Sequence, residues 1–239
     1  MARPESNSPV RSLALRGARE LSDSKPKTRS VRSASKRWQP PEGLSPEEVR
    51  AVIAAASCER DRLLLRVLWA TGARISEVLA LRPSDVRRDS LVLPNRKNPS
   101  QTTKRVFLPG SETGLTGELL LWAREQALHL DEPLFFSRKR GADGRRRPLQ
   151  RGQAWLVVKE ASERADVRVL ALRPSKHGRP GDPAPVHPHL FRHARVRQIV
   201  RQTKSLPLAQ RQAGWSRLQP AYLTIGDDEA RELMRGVTD

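Results

Sequence analysis

Thr71-Gly72-Ala73-Arg74-Ile75-Ser76-Glu77-Val78-Leu79-Ala80-Leu81 is the stretch on which the reading of this chain turns. Ahead of it Leu63, Leu64, Val67 and Leu68 recur at helical spacing, and the Thr-Gly pair ends that helix, because glycine enters the left-handed conformation without a Cβ penalty. Arg74 then opens a new helix running from Ile75 to Leu81. A cation in the first turn of a helix opposes the macrodipole. A nearby anion reverses the sign, with backbone N–H groups and the arginine fork converging on one group of phosphate oxygens. The other reading open here is local: Glu77, one turn on, pairs with Arg74.

Upstream, Ser45-Pro46-Glu47-Glu48 has the form of a capping box with proline in the first helical position, followed by Val49, Val52, Ile53 and Ala56 at helical spacing. Downstream, Leu91-Val92-Leu93 and Val106-Phe107-Leu108 predict short hairpin strands around a polar loop from Asn95 to Lys104. A helix near Glu118 to Leu128 and the apolar Leu134-Phe135-Phe136 come next. Between residues 138 and 151 seven basic residues face one acid, Asp143. Arg138, Lys139 and Arg140, then Arg145, Arg146 and Arg147, lie around Gly141 and Gly144 as a loop that can track phosphates without reading bases. Ala154 to Glu163 reads as helix. The Pro/Gly/Arg-rich stretch from Arg173 to Pro188 reads as an exposed connection.

From His189 a helix places Phe191, Val196, Ile199 and Val200 on its apolar side and Arg192, Arg195, Arg197, Arg201 and Lys204 elsewhere. A short helix from Leu208 to Ala213 ends at Gly214. Mostly helical elements with one small antiparallel hairpin make the fold class mainly α, of the α+β kind.

Composition narrows the partners. Forty-five Lys and Arg against 26 Asp and Glu give a net charge of +19, for which a polyanion is the natural counterpart. Residues 1–40 are a basic, Ser-rich arm expected to be disordered, with ten Lys/Arg against three acids up to residue 38. The arm lacks the apolar core of a signal peptide, and no apolar run reaches bilayer length, so no membrane is expected as a partner. Cys58, the single cysteine, fits a reducing compartment and reads as a buried thiol on a helix face. His187, His189 and His193 lie close together, but no HExxH or cysteine pair accompanies them and Arg192 repels a cation, so no metal is expected. Tyr222 is the only tyrosine.

The arginine-helix motif at 71–81, the hairpin lysine, His189-Leu190-Phe191-Arg192-His193, Gly214-Trp215 and Tyr222 occur in the order seen in tyrosine recombinases. From about Leu44 to Asp227 the chain resembles the catalytic domain of that phage-integrase family. The resemblance implies a helical catalytic domain over 41–226, with an acidic tail or helix over 227–239. It implies that Arg74 and Arg192 hold a scissile phosphate of double-stranded DNA while Tyr222 attacks it, leaving a covalent 3′-phosphotyrosyl intermediate. The resemblance implies likewise that His189 accepts or shares the tyrosyl proton, that Trp215 donates its indole N–H to the phosphate, and that Glu77 and His193 hold the clamp. By the same resemblance Lys97, just after the first hairpin strand, is expected to protonate the departing 5′ oxygen, with Lys104 the alternative.

Two guanidinium forks can neutralise the non-bridging oxygens as metal ions would, so no cofactor and no ATP are expected. Lys104, Arg105, the six basic residues of 138–147 and Arg195 are expected on DNA. The resemblance further implies a homo-tetramer on DNA, a cytoplasmic, nucleoid-associated location, and an accessory partner or the arm itself in place of the amino-terminal domain that closes around DNA. The competing functions are a non-catalytic DNA-binding relative of the same fold and a type IB topoisomerase.

Overall fold

Helix α1 (Pro46–Ala54) begins as the capping box requires: the Glu48 N–H donates to Ser45 Oγ (3.2 Å) and the Ser45 N–H donates to Glu48 Oε2 (2.7 Å). The computed structural model describes residues 44–95, 102–112, 114–170 and 183–214, all within the compact unit Gln39–Asp239. The basic arm, Lys97, Trp215, Tyr222 and the acidic tail lie outside the described residues.

Helix α2 (Glu59–Thr71) is the centre of the packing, with Leu63, Leu64, Leu65, Val67 and Leu68 fully buried. A helix apolar on so much of its circumference is one surrounded by others, and α2 touches α1, α4 (Leu115–Glu125) and α6 (Pro188–Thr203). It ends at Gly72, whose φ of +60° closes the last turn with an N–H donated to Leu68 O (3.0 Å). Helix α3 is shorter than the sequence pattern suggests, Ile75–Val78 rather than a run to Leu81. Leu79 and Ala80 form a turn, and the chain is extended by Arg82 (φ −121°, ψ 161°), as suits the residue before Pro83.

The first hairpin pairs β1 (Ser90–Pro94) with β2 (Thr103–Phe107), in register Leu91↔Val106 and Leu93↔Lys104. Lys104 therefore belongs to a strand and not to the loop. Because side chains alternate along a strand, Lys104 shares the inward face of Val106 and is 4% exposed. The basic stretch expected as a loop is a second hairpin, β3 (Phe136–Arg140) with β4 (Arg146–Pro148), turned at Gly144 with φ +72°. Helix α4 starts and ends earlier than anticipated, stopped by Ala127 at φ +49°.

Helix α5 (Arg151–Arg164) packs on α1, and β5 (Arg168–Leu170) pairs with β6 (Pro183–Pro185), so part of the expected exposed connection is a strand leading to the fully buried Val186. Helix α7 (Leu206–Ala213), capped by Ser205, packs against α6 through Val196, Ile199, Ala209 and Ala213. Cys58 is exposed rather than buried on a helix face, because it is the extended N-cap of α2 and so precedes the helix face that packs. Among the described residues no helix is long and apolar enough to cross a membrane.

Gly72 combines a left-handed backbone with crowding, since a Cβ there would stand 3.2 Å from Arg195 Cγ. Gly72→Ala is expected to lower folding stability by about 1–2 kcal/mol, measured by urea unfolding; an unchanged midpoint would contradict the strain.

Candidate active site

Arg74 is the N-cap of α3, and the local reading of it holds: its N–H donates to Glu77 Oε2 (3.0 Å) and its Nη1 to Glu77 Oε1 (2.8 Å). Glu77 is wholly buried and receives a second cation, with Lys104 Nζ 2.8 Å from its Oε2. Lys104 Nζ also donates to the Ala213 carbonyl at the end of α7 (3.1 Å). Arg192, 1% exposed on α6, donates from Nη1 to the Gly72 carbonyl (2.7 Å) and from Nη2 to the same Ala213 carbonyl (3.0 Å). One continuous network thus runs from Arg74 through Glu77, Lys104 and Ala213 to Arg192 and back to the residue two before Arg74.

Burial works to raise the Glu77 carboxyl, but Lys104 and Arg74 outweigh it and hold the group below the ordinary carboxylate range. Burial lowers Lys104, and the nearby Arg192 and Arg74 lower it further against the pull of Glu77. His193 is driven down to about 3, by burial first and then by His189, Arg197 and Arg192. It is a neutral imidazole at physiological pH, set edge-to-face against His189 with ring centroids 4.3 Å apart. His187 is also lowered, by burial. The exposed His189 borders an open cleft of about 440 Å³ between the starts of α3, α5 and α6, lined also by Ile75, Arg151, Trp155 and His187.

A buried acid linking two cations beside a third, ordered along the chain as described, agrees with a family model, phage integrase family, that matches residues 42–222. The chain belongs to the phage integrase family. Among relatives, a protein named tyrosine recombinase XerD from Corynebacterium glutamicum is 29% identical over 180 residues, 74% of this chain and 52% of that protein. Transposase A from transposon Tn554 of Staphylococcus aureus is 22% identical over 79% of this chain and 50% of its own length. The chain spans about half the length of the curated relatives it matches. Its fold is that of the XerA recombinase crystal structure (TM-score 0.62, 19% identity, 84% of this chain and 65% of that one). It is also that of the XerH site-specific recombinase bound to difH substrate before cleavage (TM-score 0.57, 22% identity, 82% of this chain and 54% of that one). Mainly helical architecture with small antiparallel sheets is therefore the architecture of the phage-integrase catalytic domain, as the sequence indicated.

Within this family member the structure gathers Arg74, Glu77, Lys104 and Arg192 at one place, with His189 and His193 on the first turns of α6. Lys97, Trp215 and Tyr222 lie outside the described residues. Three residues expected on DNA are turned elsewhere. Lys104 is buried on Glu77. Arg195 is 8% exposed, its stem against Gly72, its guanidinium 5.4 Å from the Trp69 ring and bonded to Gln198 Oε1 (2.6 Å). Arg146 lies 4.0 Å over the Phe136 ring and donates to Gln126 O (2.8 Å). Arginine carries enough apolar and planar surface to pack in this way.

Arg138, Lys139, Arg140, Arg145 and Arg147 remain exposed on the second hairpin, although Arg147 pairs with Asp143 (3.0 Å) and Arg140 caps Gly144 O (2.9 Å). Arg105 is exposed and bonded to Ser90 and Asp89. Sequence reading missed the Gly72 and Ala213 carbonyls, which no side-chain motif encodes, and the part of Gln212 at the hairpin.

The half-buried His193 gives the fold an acid sensitivity. From pH 6.5 down to about 3 the unfolded chain holds a proton on His193 that the folded chain does not, so stability falls with falling pH through that window. Melting temperature should therefore drop less between about pH 7.5 and pH 5 in His193→Gln than in the parent; parallel drops would show that this imidazole is not the sensor.

Proposed function

We propose that the chain is a site-specific DNA recombinase that cuts and rejoins double-stranded DNA through a covalent phosphotyrosyl intermediate. The observation that carries this reading is the anchoring of Arg74 and Arg192 to one buried network. Phosphoryl transfer asks the protein chiefly for fixed positive charge around the non-bridging oxygens, and guanidiniums held in advance supply it without reorganisation at the moment of reaction. The Arg74 side chain is 23% exposed, so its outer edge can meet a phosphate while Glu77 holds the inner one.

In the proposed step Tyr222 Oη forms a bond to phosphorus and the P–O5′ bond breaks. The 5′ oxygen takes up a proton, and the tyrosyl proton passes to a neighbouring base, for which His189 is the candidate. A tyrosine near its ordinary pKa of about 10 is mostly protonated at neutral pH and needs such help. Attack by another strand's 5′ hydroxyl on the phosphotyrosine reverses the step, so the bond energy is kept and no nucleotide is consumed. Trp215 is the candidate for a further donor to the phosphate. The finer parts of this proposal are assembly as a homo-tetramer on DNA, action at the nucleoid, and a partner or the basic arm closing around the duplex. Solved structures of this fold include a lambda integrase tetramer bound to a Holliday junction, which supports the tetramer by analogy.

The test starts by selecting a tightly bound duplex from a randomised pool and nicking it near the selected sequence. Wild type is expected to form an SDS-resistant adduct on that nicked duplex and Tyr222→Phe none; an equal yield from both would end the mechanism. Absence of an adduct on every selected duplex would leave a non-catalytic DNA-binding protein.

The second hairpin gives an independent expectation. Replacing Arg138, Lys139 and Arg145 with Ala should weaken DNA binding uniformly across sequences and reduce the slope of log K against log salt by roughly one for each phosphate that is no longer neutralised. An unchanged slope in a salt titration would remove this hairpin from the interface.

A further inference from the structure

Lys104 stands within the site, and two roles compete for it: donor of the proton that the departing 5′ oxygen needs, or fixed internal cation. An ammonium has three N–H groups. Two of them are directed at Glu77 Oε2 (2.8 Å) and Ala213 O (3.1 Å), on a side chain 4% exposed. A general acid must come within hydrogen-bond reach of the oxygen it protonates. The third N–H cannot reach an incoming oxygen from a side chain 4% exposed unless the ammonium moves, and that movement would strip a wholly buried carboxylate of one of its cations, which is strongly unfavourable.

The strand that carries Lys104 is itself clamped. The Phe107 N–H donates to Gln212 Oε1 (3.2 Å) while Gln212 Nε2 donates back to Phe107 O (3.1 Å), so one side-chain amide on α7 takes both main-chain groups of the last β2 residue. The Arg105 and Arg211 guanidiniums lie 5.3 and 5.7 Å from the Phe107 ring. Gly214 leaves no room for adjustment either, since a Cβ there would be 2.8 Å from Lys104 Cδ.

We infer that Lys104 is a positioning residue, not the proton donor: held by the Gln212 clamp, it joins the carboxylate that orients Arg74 to the carbonyl that orients Arg192. The proton for the leaving oxygen then comes from another group, with Lys97 the candidate. This rests on the strand-cleavage reading.

The experiment uses the selected nicked duplex in two forms, with oxygen or sulfur bridging phosphorus to the 5′ carbon at the cleaved linkage. Sulfur departs as a thiolate and needs no proton. Lys97→Ala is expected to slow adduct formation by roughly 10²–10⁴-fold with oxygen and to return close to the wild-type rate with sulfur. Lys104→Met is expected to be slowed by the same factor on both. Gln212→Ala, which keeps the charge but loosens the strand, should show the same independence of the leaving atom, with a smaller loss.

Recovery of Lys104→Met on the sulfur substrate would overturn the inference. If wild type forms no adduct on either duplex, the cleavage reading fails instead, and a DNA-free measurement decides the positioning role. Melting temperatures of Lys104→Met, Glu77→Gln and the double variant should be non-additive, the double losing less than the two single losses together. Additive losses would refute the coupling whatever the enzyme does.

Discussion

A carboxylate with no exposure to water, Glu77, is the constraint on which the rest of the site depends. An ionised carboxylate is costly to bury unless its oxygens are filled by cations and N–H donors, and removing one partner of such a group typically costs about 3–5 kcal/mol. Here the donors are the Arg74 backbone N–H, Arg74 Nη1 and Lys104 Nζ, drawn from the start of α3 and from β2 of the first hairpin. Satisfying the carboxylate therefore sets the docking of the first hairpin on α3. It also joins the two readings that the sequence leaves open for Arg74, because one side of the guanidinium serves Glu77 and the other faces outward.

The second anchor is made from backbone. Gly72 O belongs to the C-cap of α2 and Ala213 O to the last turn of α7, so Arg192 spans the carboxyl ends of two helices with the two Nη atoms of one fork. Carbonyls at a helix end carry the negative pole of its dipole, and a guanidinium placed against them is stabilised by it. Both helices end at a glycine with positive φ, 60° at Gly72 and 65° at Gly214, which breaks the helical pattern at or next to the residues whose carbonyls Arg192 meets. The glycines thus act on the site through the arginine that meets those carbonyls.

Much of this is legible in the sequence where local physics decides. The capping box at Ser45, the end of α2 at Gly72, the pairing of Arg74 with Glu77 and the end of α7 at Gly214 are each dictated by residues within a turn. What escapes is the direction of long cationic side chains. Lys104 reads as a loop residue because its charge suggests solvent, although Val106 two residues on is inward-facing and alternation puts Lys104 on the same side. Arg192 and Arg195 sit at helical spacing with the buried Val196 and Ile199, a pattern that is visible once charge is set aside. A rule that equates charge with surface fails where backbone carbonyls, a buried acid or an aromatic ring wait inside, and none of these is announced by the motif around the cation.

The net charge of +19 accordingly divides into two populations with different physics. Exposed cations such as Arg138, Lys139 and Arg145 face water at salt-dependent cost and can attract a polyanion from a distance, within a Debye length of about 10 Å at moderate salt. Buried cations such as Lys104 and Arg192 hold fixed directions that folding has already established, in surroundings where screening is weak. Only the second kind can favour a transition state over a ground state, because a side chain that reorients in solvent adapts to both equally well. Under the proposed mechanism, affinity for DNA therefore belongs to the exposed set and the choice of which phosphate reacts to the buried network, so the two properties can be altered separately.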